Sequence, residues 1–368
     1  MTFKERFPND MALQSAITAS LPTIVDAVGL AAGPHEERYR KKNQLTTIAT
    51  TLFIITALII GVFLFDVSRE ILLSFPLAVS AALALVGVVC SVVGIRTLQY
   101  AKRFSNDFIA LAHAAIFKQA FHLLGLSDAK RIVPSVEGVH KALAPPTVLE
   151  LLASYGDSPE KKHTLALVDY SELVTEQHNR FEIDDLFTFS LLGSNVFIAE
   201  AHISHITSSG KTRHTKEIFH GYFVSYDLQK PLMGKTFIST DGDRSGFGHR
   251  SFWSALTADG AQDTVLEWNE FEDLLHVAAT DPVEARTILT PDVMSRLYDW
   301  WAGQNRQQNI RLSFLGTHVH VLFPSSEVHM LQTIKTITTV DIEKSVRAIV
   351  CPLVPLLQLL EVVGESKL

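Results

Sequence analysis

Apolar positions gather early in the chain into two uncharged blocks, Thr46–Phe65 and Ile71–Ile95, parted only by the polar connector Asp66-Val67-Ser68-Arg69-Glu70. At a helical rise of about 1.5 Å per residue, either block can cross a hydrocarbon core of about 30 Å. Residues 46–95 therefore predict a transmembrane helical hairpin with spans 46–65 and 71–95. Ahead of it, residues 1–45 predict a cytosolic N-terminal helical region. Leu13, Ile17, Leu21, Ile24, Val25 and Val28 recur at helical spacing, and Gly33-Pro34 reads as a stop. This helix lies either on the membrane surface or against the cytosolic domain. Residues 96–125 keep a helical period (Leu98, Phe108, Leu111, Ala115, Phe121) and predict a helical stalk closed by Gly125.

Residues 126–368 predict a cytosolic α+β domain. Residues 125–165 give no single pattern: Ala144-Pro145-Pro146 breaks any regular element, and Thr147–Tyr155 suits a short helix. From Phe187 the period changes to two. Strands are expected at Phe187–Leu192, Val196–Ile206, Glu217–Asp227, Thr236–Ser239, Thr264–Trp268, Leu274–Ala278, Asn309–Phe314 and His318–Phe323. A polar loop, Thr207–His214, joins the second and third, and Leu315-Gly316-Thr317 signals a hairpin. Helices are expected at Pro282–Leu289, Pro291–Ala302 and Asp341 to about Val363. The last is interrupted by Pro352 and Pro355 and intruded upon by Gln358 and Glu361, so it is expected to pack internally instead of forming a third span. Strands following strands imply an antiparallel sheet with flanking helices, not a doubly wound fold.

Charge sets the expected orientation. Arg38, Arg40, Lys41 and Lys42 precede the first block, and Arg96, Lys102 and Arg103 follow the second, whereas the connector holds only Arg69. Basic flanks stay cytoplasmic, so both termini are expected in the cytosol. The two cysteines, Cys90 and Cys351, do not suggest a disulfide framework, and no signal peptide is expected at the N-terminus. A net charge of −7 argues against a nucleic-acid partner. Charged residues are 19% and hydrophobic ones 47%, which fits a chain that is part membrane-embedded and part aqueous.

Two motifs carry a family resemblance. Phe219-x-Gly221-x-Phe223-x-x-x-Asp227-x-x-Lys230 is followed by Gly234-x-Thr236. Further on, Glu270-Phe271-Glu272 leads through Val277 to Asp281-Pro-Val-Glu284-Ala285-Arg286, then Ile288-Leu289-Thr290-Pro291 and Met294. Over roughly residues 180–325 the chain resembles the bacterial domain-of-unknown-function family numbered 3137. The resemblance implies a two-pass inner-membrane protein with a cytosolic domain, and a protein partner that includes LemA-type membrane proteins as candidates. It implies no catalytic residues.

Other patterns are weaker. Gly210-Lys211-Thr212 mimics the end of a phosphate loop, but His205 stands where its first glycine belongs and a strand follows. Asp241–Gly246 mimics a calcium loop whose twelfth position is Phe252, not a carboxylate. Among fifteen histidines, His318 and His320 alternate onto one strand face and are the candidate metal ligands; His202 and His205 fall on opposite faces. Asp281, Glu284 and Arg286 form either a polar interaction site or a helix cap, a charge at the helix start and an ion pair. Small residues stand four apart in pairs (Ala78 and Ala82, Ser80 and Ala84, Gly87 and Ser91, Cys90 and Gly94), and Ala78, Ala82, Gly87, Ser91 and Gly94 make a candidate oligomer face, or serve packing within the hairpin. The spans hold no ionisable residue, so no proton relay is expected there.

The chain is expected to be a membrane-anchored scaffold or sensor that binds a protein partner or lipid headgroups without catalysis or cofactor, and to self-associate. A membrane-surface hydrolase or metal-dependent enzyme, or a pore built from hairpins, are the alternatives.

Overall fold

The computed structural model describes residues 2–64, 86–97, 107–131, 159–209, 212–240, 256, 260–303, 309–325 and 338–365. In chain order these form α1 (Phe3–Arg6), α2 (Asp10–Leu64), α3 (Val86–Thr97), α4 (Asp107–Leu124), β1 (Lys130–Arg131), α5 (Pro159–Ser171), β2 (Arg180–Leu191), β3 (Ser194–Ser209), β4 (Thr212–Asp227) and β5 (Lys235–Thr240). They continue with β6 (Gln262–Asp263), α6 (Asn269–Glu272), β7 (Leu275–Ala279), α7 (Pro282–Ile288), α8 (Pro291–Gly303), β8 (Arg311–Leu315), β9 (His318–Pro324) and α9 (Thr339–Gly364). The chain divides into two compact units, one of Met1–Leu21, Phe117–Gln332 and Glu343–Leu368, the other of Pro22–Ile116 and Thr333–Ile342.

The first unit is built on a nine-stranded sheet of order β1-β2-β3-β4-β9-β8-β5-β7-β6, antiparallel at every pairing. Period-two alternation gives the sheet two apolar faces, and each is covered. On one face Ala166, Leu167 and Val168 of α5 cluster with Phe197, Phe223, Phe237 and Leu322. On the other, Phe117 and Phe121 of α4 stack against Phe187, with centroids 5.1 and 5.5 Å away. There too Trp300 of α8 meets Phe323 of β9 at 6.2 Å and donates its indole N–H to the Pro355 carbonyl of α9 at 2.8 Å. The pattern in α9 is that of a core helix: it is apolar and long enough to cross a membrane, yet 72% of its most apolar window is buried. Gly125 ends α4 as its position predicts, with φ +82° and the Leu126 N–H donated back to the Phe121 carbonyl at 2.8 Å.

Several expectations change in detail. Gly33-Pro34 does not stop the first helix: α2 runs 55 residues and carries both Pro22 and Pro34 inside it. Each proline removes one backbone bond, at a cost of about 3 kcal/mol. A stripe of buried residues (Leu13, Ile17, Leu21, Ile24, Val28, Ala32) runs past Pro22 and up to Gly33. Strands β3 and β4 extend to a Ser209–Thr212 pair, so the expected eight-residue loop shrinks to the link 210–211, which lies outside the described residues. The Thr264–Trp268 strand is absent; pairing there is confined to β6 at Gln262–Asp263. Helix α5 and the first half of β2 were not anticipated, because His163, Lys161 and Lys162 blur the apolar period of α5. The connector 66–70, the residues 71–85, Thr147–Tyr155 and Asp241–Gly248 lie outside the described residues.

In the second unit, α3 lies against α2. Thr56 donates to the Leu52 carbonyl at 2.9 Å and reaches the Gly87 carbonyl at 3.4 Å, and the Ser91 hydroxyl donates to Thr56 Oγ1 at 3.3 Å. A Cβ on Gly94 would meet the Phe53 ring at 3.4 Å. Ala49, Thr56, Gly87 and Gly94 are buried between the two helices, whereas Ile48, Ile54, Ile55, Leu58, Val86, Val88, Val89, Val92, Val93 and Ile95 are exposed.

Candidate functional site

The two sequence motifs meet in space. Asp281 caps α7, its carboxylate accepting the N–H groups of Val283 at 2.9 Å and Glu284 at 3.2 Å. Pro282 follows at the first helical position, where a missing N–H costs nothing. Glu284, in that first turn, reaches across to the other motif: its oxygens accept the Met233 N–H at 2.9 Å and the Gly234 N–H at 2.7 Å. Gly234 is needed for this approach, since a Cβ there would lie 2.9 Å from the Asp281 Cβ. Lys235 N–H adds a bond to Thr280 Oγ1 at 2.8 Å. Among the described residues Arg286 forms no ion pair and donates instead to the Val265 carbonyl at 3.2 Å. Asp281, Glu284 and Arg286 thus fasten the β4–β5 connection, α7 and the β6–α6 connection together.

The motif glycine at 221 has an equally plain cause. Gly221 (φ +152°) sits where β4 passes β9, and an added Cβ would run into the Phe323 carbonyl and approach the Pro324 Cα to 2.7 Å.

A second polar assembly lies on the α5-covered face. His318 and His320 project from β9 on one side, as strand alternation requires, with rings 5.7 Å apart and parallel within 2°. His318 is held at both nitrogens: Thr317 Oγ1 lies 3.0 Å from Nδ1 and Asp227 Oδ1 lies 3.2 Å from Nε2. His320 is fully enclosed, flat against Phe223 at 5.7 Å and edge-on to Tyr170 of α5 at 5.8 Å. Neither of its ring nitrogens has a hydrogen-bond partner, nor does the buried hydroxyl of Ser313, its cross-strand neighbour. Burial, and then the neighbouring His318, hold the His320 imidazole well below its usual value. Close by, Arg311 is 1% exposed; its guanidinium donates to the Leu173 carbonyl at 2.7 Å and to Glu176 at 3.3 Å. Burial lowers its pKa, partly offset by Glu176. Lys235 pairs with Glu172.

This arrangement places hydroxyl, imidazole and carboxylate in a row at Thr317, His318 and Asp227. Acyl transfer also needs donors for an oxyanion, and the Leu228 N–H beside the turn is already given to the Thr317 carbonyl at 2.8 Å. Metal chelation is equally ill served, because parallel stacked rings do not converge their nitrogens. Among the described residues no cluster of three or more His, Cys, Asp or Glu side chains is arranged to hold a metal. His202 lies apart from this pair, beside Glu217 at 3.0 Å and His220 at 5.1 Å.

A groove of about 940 Å³ opens between the N-terminal segment and helices α8 and α9, with Phe7, Asp10, Asp299, Cys351, Gln358 and Glu361 among its walls. The small-residue ladder is divided: Gly87, Ser91 and Gly94 face α2, and Ala78 and Ala82 lie outside the described residues.

Compared with known families, residues 217–363 match the model described as a protein of unknown function, DUF3137. The match begins later than the resemblance noted from sequence and extends through α9. No curated protein and no solved structure matches the chain.

Proposed function

We propose that this chain, whose residues 217–363 match the DUF3137 family model, is a membrane-anchored scaffold or sensor of a bacterial inner membrane. Residues 46–65 and 71–95 serve as its two spans, both termini face the cytoplasm, and the sheet domain engages a protein partner or lipid headgroups without catalysis. The observation that carries this reading is the inside-out character of α2 and α3. Small and hydroxyl-bearing residues fill the contact between them, while isoleucines and valines point outward in a continuous band. In water such a band would be a large exposed apolar patch. In lipid it is the favourable arrangement, because helix association there comes from close packing and interhelical hydrogen bonds. The residues of the sheet domain support a binding role over a reactive one: Glu284 is engaged in a clamp, and the Leu228 N–H beside the Asp227–His318–Thr317 row is already given to the Thr317 carbonyl.

Alkaline carbonate washing of membranes tests the anchor. The full-length chain is expected to stay in the pellet, and the variant Ile54→Arg with Val89→Arg to shift toward the wash. Release of the wild-type chain by carbonate would overturn the reading. Flotation of the purified chain with anionic vesicles, beside in-cell crosslinking, separates the headgroup and protein-partner forms of the proposal.

A further inference from the structure

We infer that the His318–His320 stack is a proton-sensitive latch holding α5 onto the sheet, and that acidification opens this cover. The inference deepens the sensor half of the proposed function by naming the proton as the stimulus, and it is independent of how the chain meets the membrane. Its basis is the enclosure of His320, among the described residues, by groups that accommodate a neutral ring and leave both its nitrogens without a partner. From its own strand, His318 stacks upon it, already engaged by Asp227 of β4 and by Thr317. From β4 come the Phe223 ring and, in direct register, Ser225; from β8 comes Ser313, with Arg311 one alternation away. From α5 comes the edge of Tyr170. The charged groups of the segment after α5 are engaged elsewhere, Glu172 by Lys235 and Glu176 by Arg311.

A proton on His320 would place a cation in a fully buried site, next to a second imidazole and within the same layer as Arg311. Burial of an uncompensated charge is among the costliest events in a protein interior. The strand cannot yield, because β9 is paired on both edges. The lid can: α5 is a short helix whose Leu167, Val168 and Tyr170 pack on the sheet cluster. Opening α5 admits water to His320 and relieves the charge. Because the folded site disfavours the proton, the closed state is fully stable above the ordinary histidine value of about 6.5 and weakens as the pH falls below it.

Amide hydrogen exchange on the full chain in detergent micelles, normalised to intrinsic rates at each pH, reads the opening. For residues 163–173 and 318–322 the opening constant is expected to rise by about fivefold between pH 6.5 and 5.5, as one linked proton with an open-state value of about 6.5 requires. His320→Phe keeps a flat ring between Phe223 and Tyr170 but cannot titrate, and should abolish this slope; His318→Asn should retain it. A wild-type chain without the slope, or an equal slope in His320→Phe, would overturn the latch. Should His320→Phe misfold, ring-labelled histidine spectra of the wild type decide the matter. A His320 signal that stays neutral until α5 opens supports the latch, and one that titrates near 6.5 with α5 still protected overturns it.

Discussion

Glu361 grips the backbone of Phe3: both carboxylate oxygens accept the Phe3 N–H, at 2.8 and 3.0 Å, across 358 positions of chain. Neighbouring bonds strengthen the hold. Gln358 donates to the Phe7 carbonyl at 3.2 Å, Arg6 to the Leu123 carbonyl at 2.5 Å, and Thr2 and Glu5 form a capping box over α1. Bonds to a charged acceptor contribute about 1.5–3 kcal/mol, so Glu361→Ala is expected to lower stability by about that amount and to expose residues 2–10 to limited proteolysis. Burial raises the Glu361 pKa more than the Phe3 N–H lowers it. The folded state therefore takes up the proton more readily than the unfolded one. Acidification toward the ordinary carboxylate range should strengthen this docking, opposite in sign to the effect at His320. Proteolysis rates at pH 7.5 and 5, compared between wild type and Glu361→Gln, check the sign; the variant should show no such gain.

Glu284 is expected to matter more than Asp281, although both sit at one helix start. Removing Asp281 deprives α7 of a cap worth about 1 kcal/mol. Removing Glu284 leaves the Met233 and Gly234 donors without their acceptor, and charge-assisted bonds of this kind contribute about 1.5–3 kcal/mol each before water compensates. Urea unfolding of the full chain in micelles should rank Glu284→Ala below Asp281→Ala. The reverse order would show that the cap, not the cross-motif clamp, is what the segment supplies.

Gly221→Ala should be severely destabilising for so small a change. The added methyl would collide with backbone of β9, which cannot rotate aside as a side chain would. Overpacking typically costs about 1–3 kcal/mol, and the upper part of that range is expected. Gly193→Ala, at φ +83° but with open space around it, supplies the comparison: any loss there reports backbone conformation alone.

Trp300 joins three elements, packing on Phe323 and bonding to Pro355. Truncating a buried tryptophan costs about 3–5 kcal/mol. Trp300→Ala should unfold the sheet domain at clearly lower urea, and Trp300→Phe, which keeps the packing but loses the indole donor, should recover most of the difference. An equal loss for both would assign the effect to the hydrogen bond.

Much of the sheet was readable in the chain because β3, β4, β5, β7, β8 and β9 are β-rich apolar runs bounded by turn residues; His318–Phe323 and Pro291–Ala302 differ from the observed elements by about a residue. The cap at Asp281 was readable for the same local reason. The partner of Glu284 was not, since Gly234 lies 50 positions away and nothing in a one-dimensional pattern specifies which loop a helix start will meet. That His318 and His320 share one strand face followed from spacing, but their enclosure depended on α5, whose lysines and histidine hide its apolar side. Gly33-Pro34 misled because stop signals act locally, and α2 continues as one helix through both residues.

Strand β9 has a consequence for synthesis. It sits between β4 and β8 in the sheet, yet of the described strands it is the last to leave the ribosome, with Phe223 opposite Leu322. At about 5–20 residues per second, β4 must wait several seconds with one edge unpaired. An open edge of this length is a template for pairing with other chains. Nascent copies made side by side on one message would be at most risk, and a holding chaperone that covers residues 217–227 until translation passes 324 would protect them.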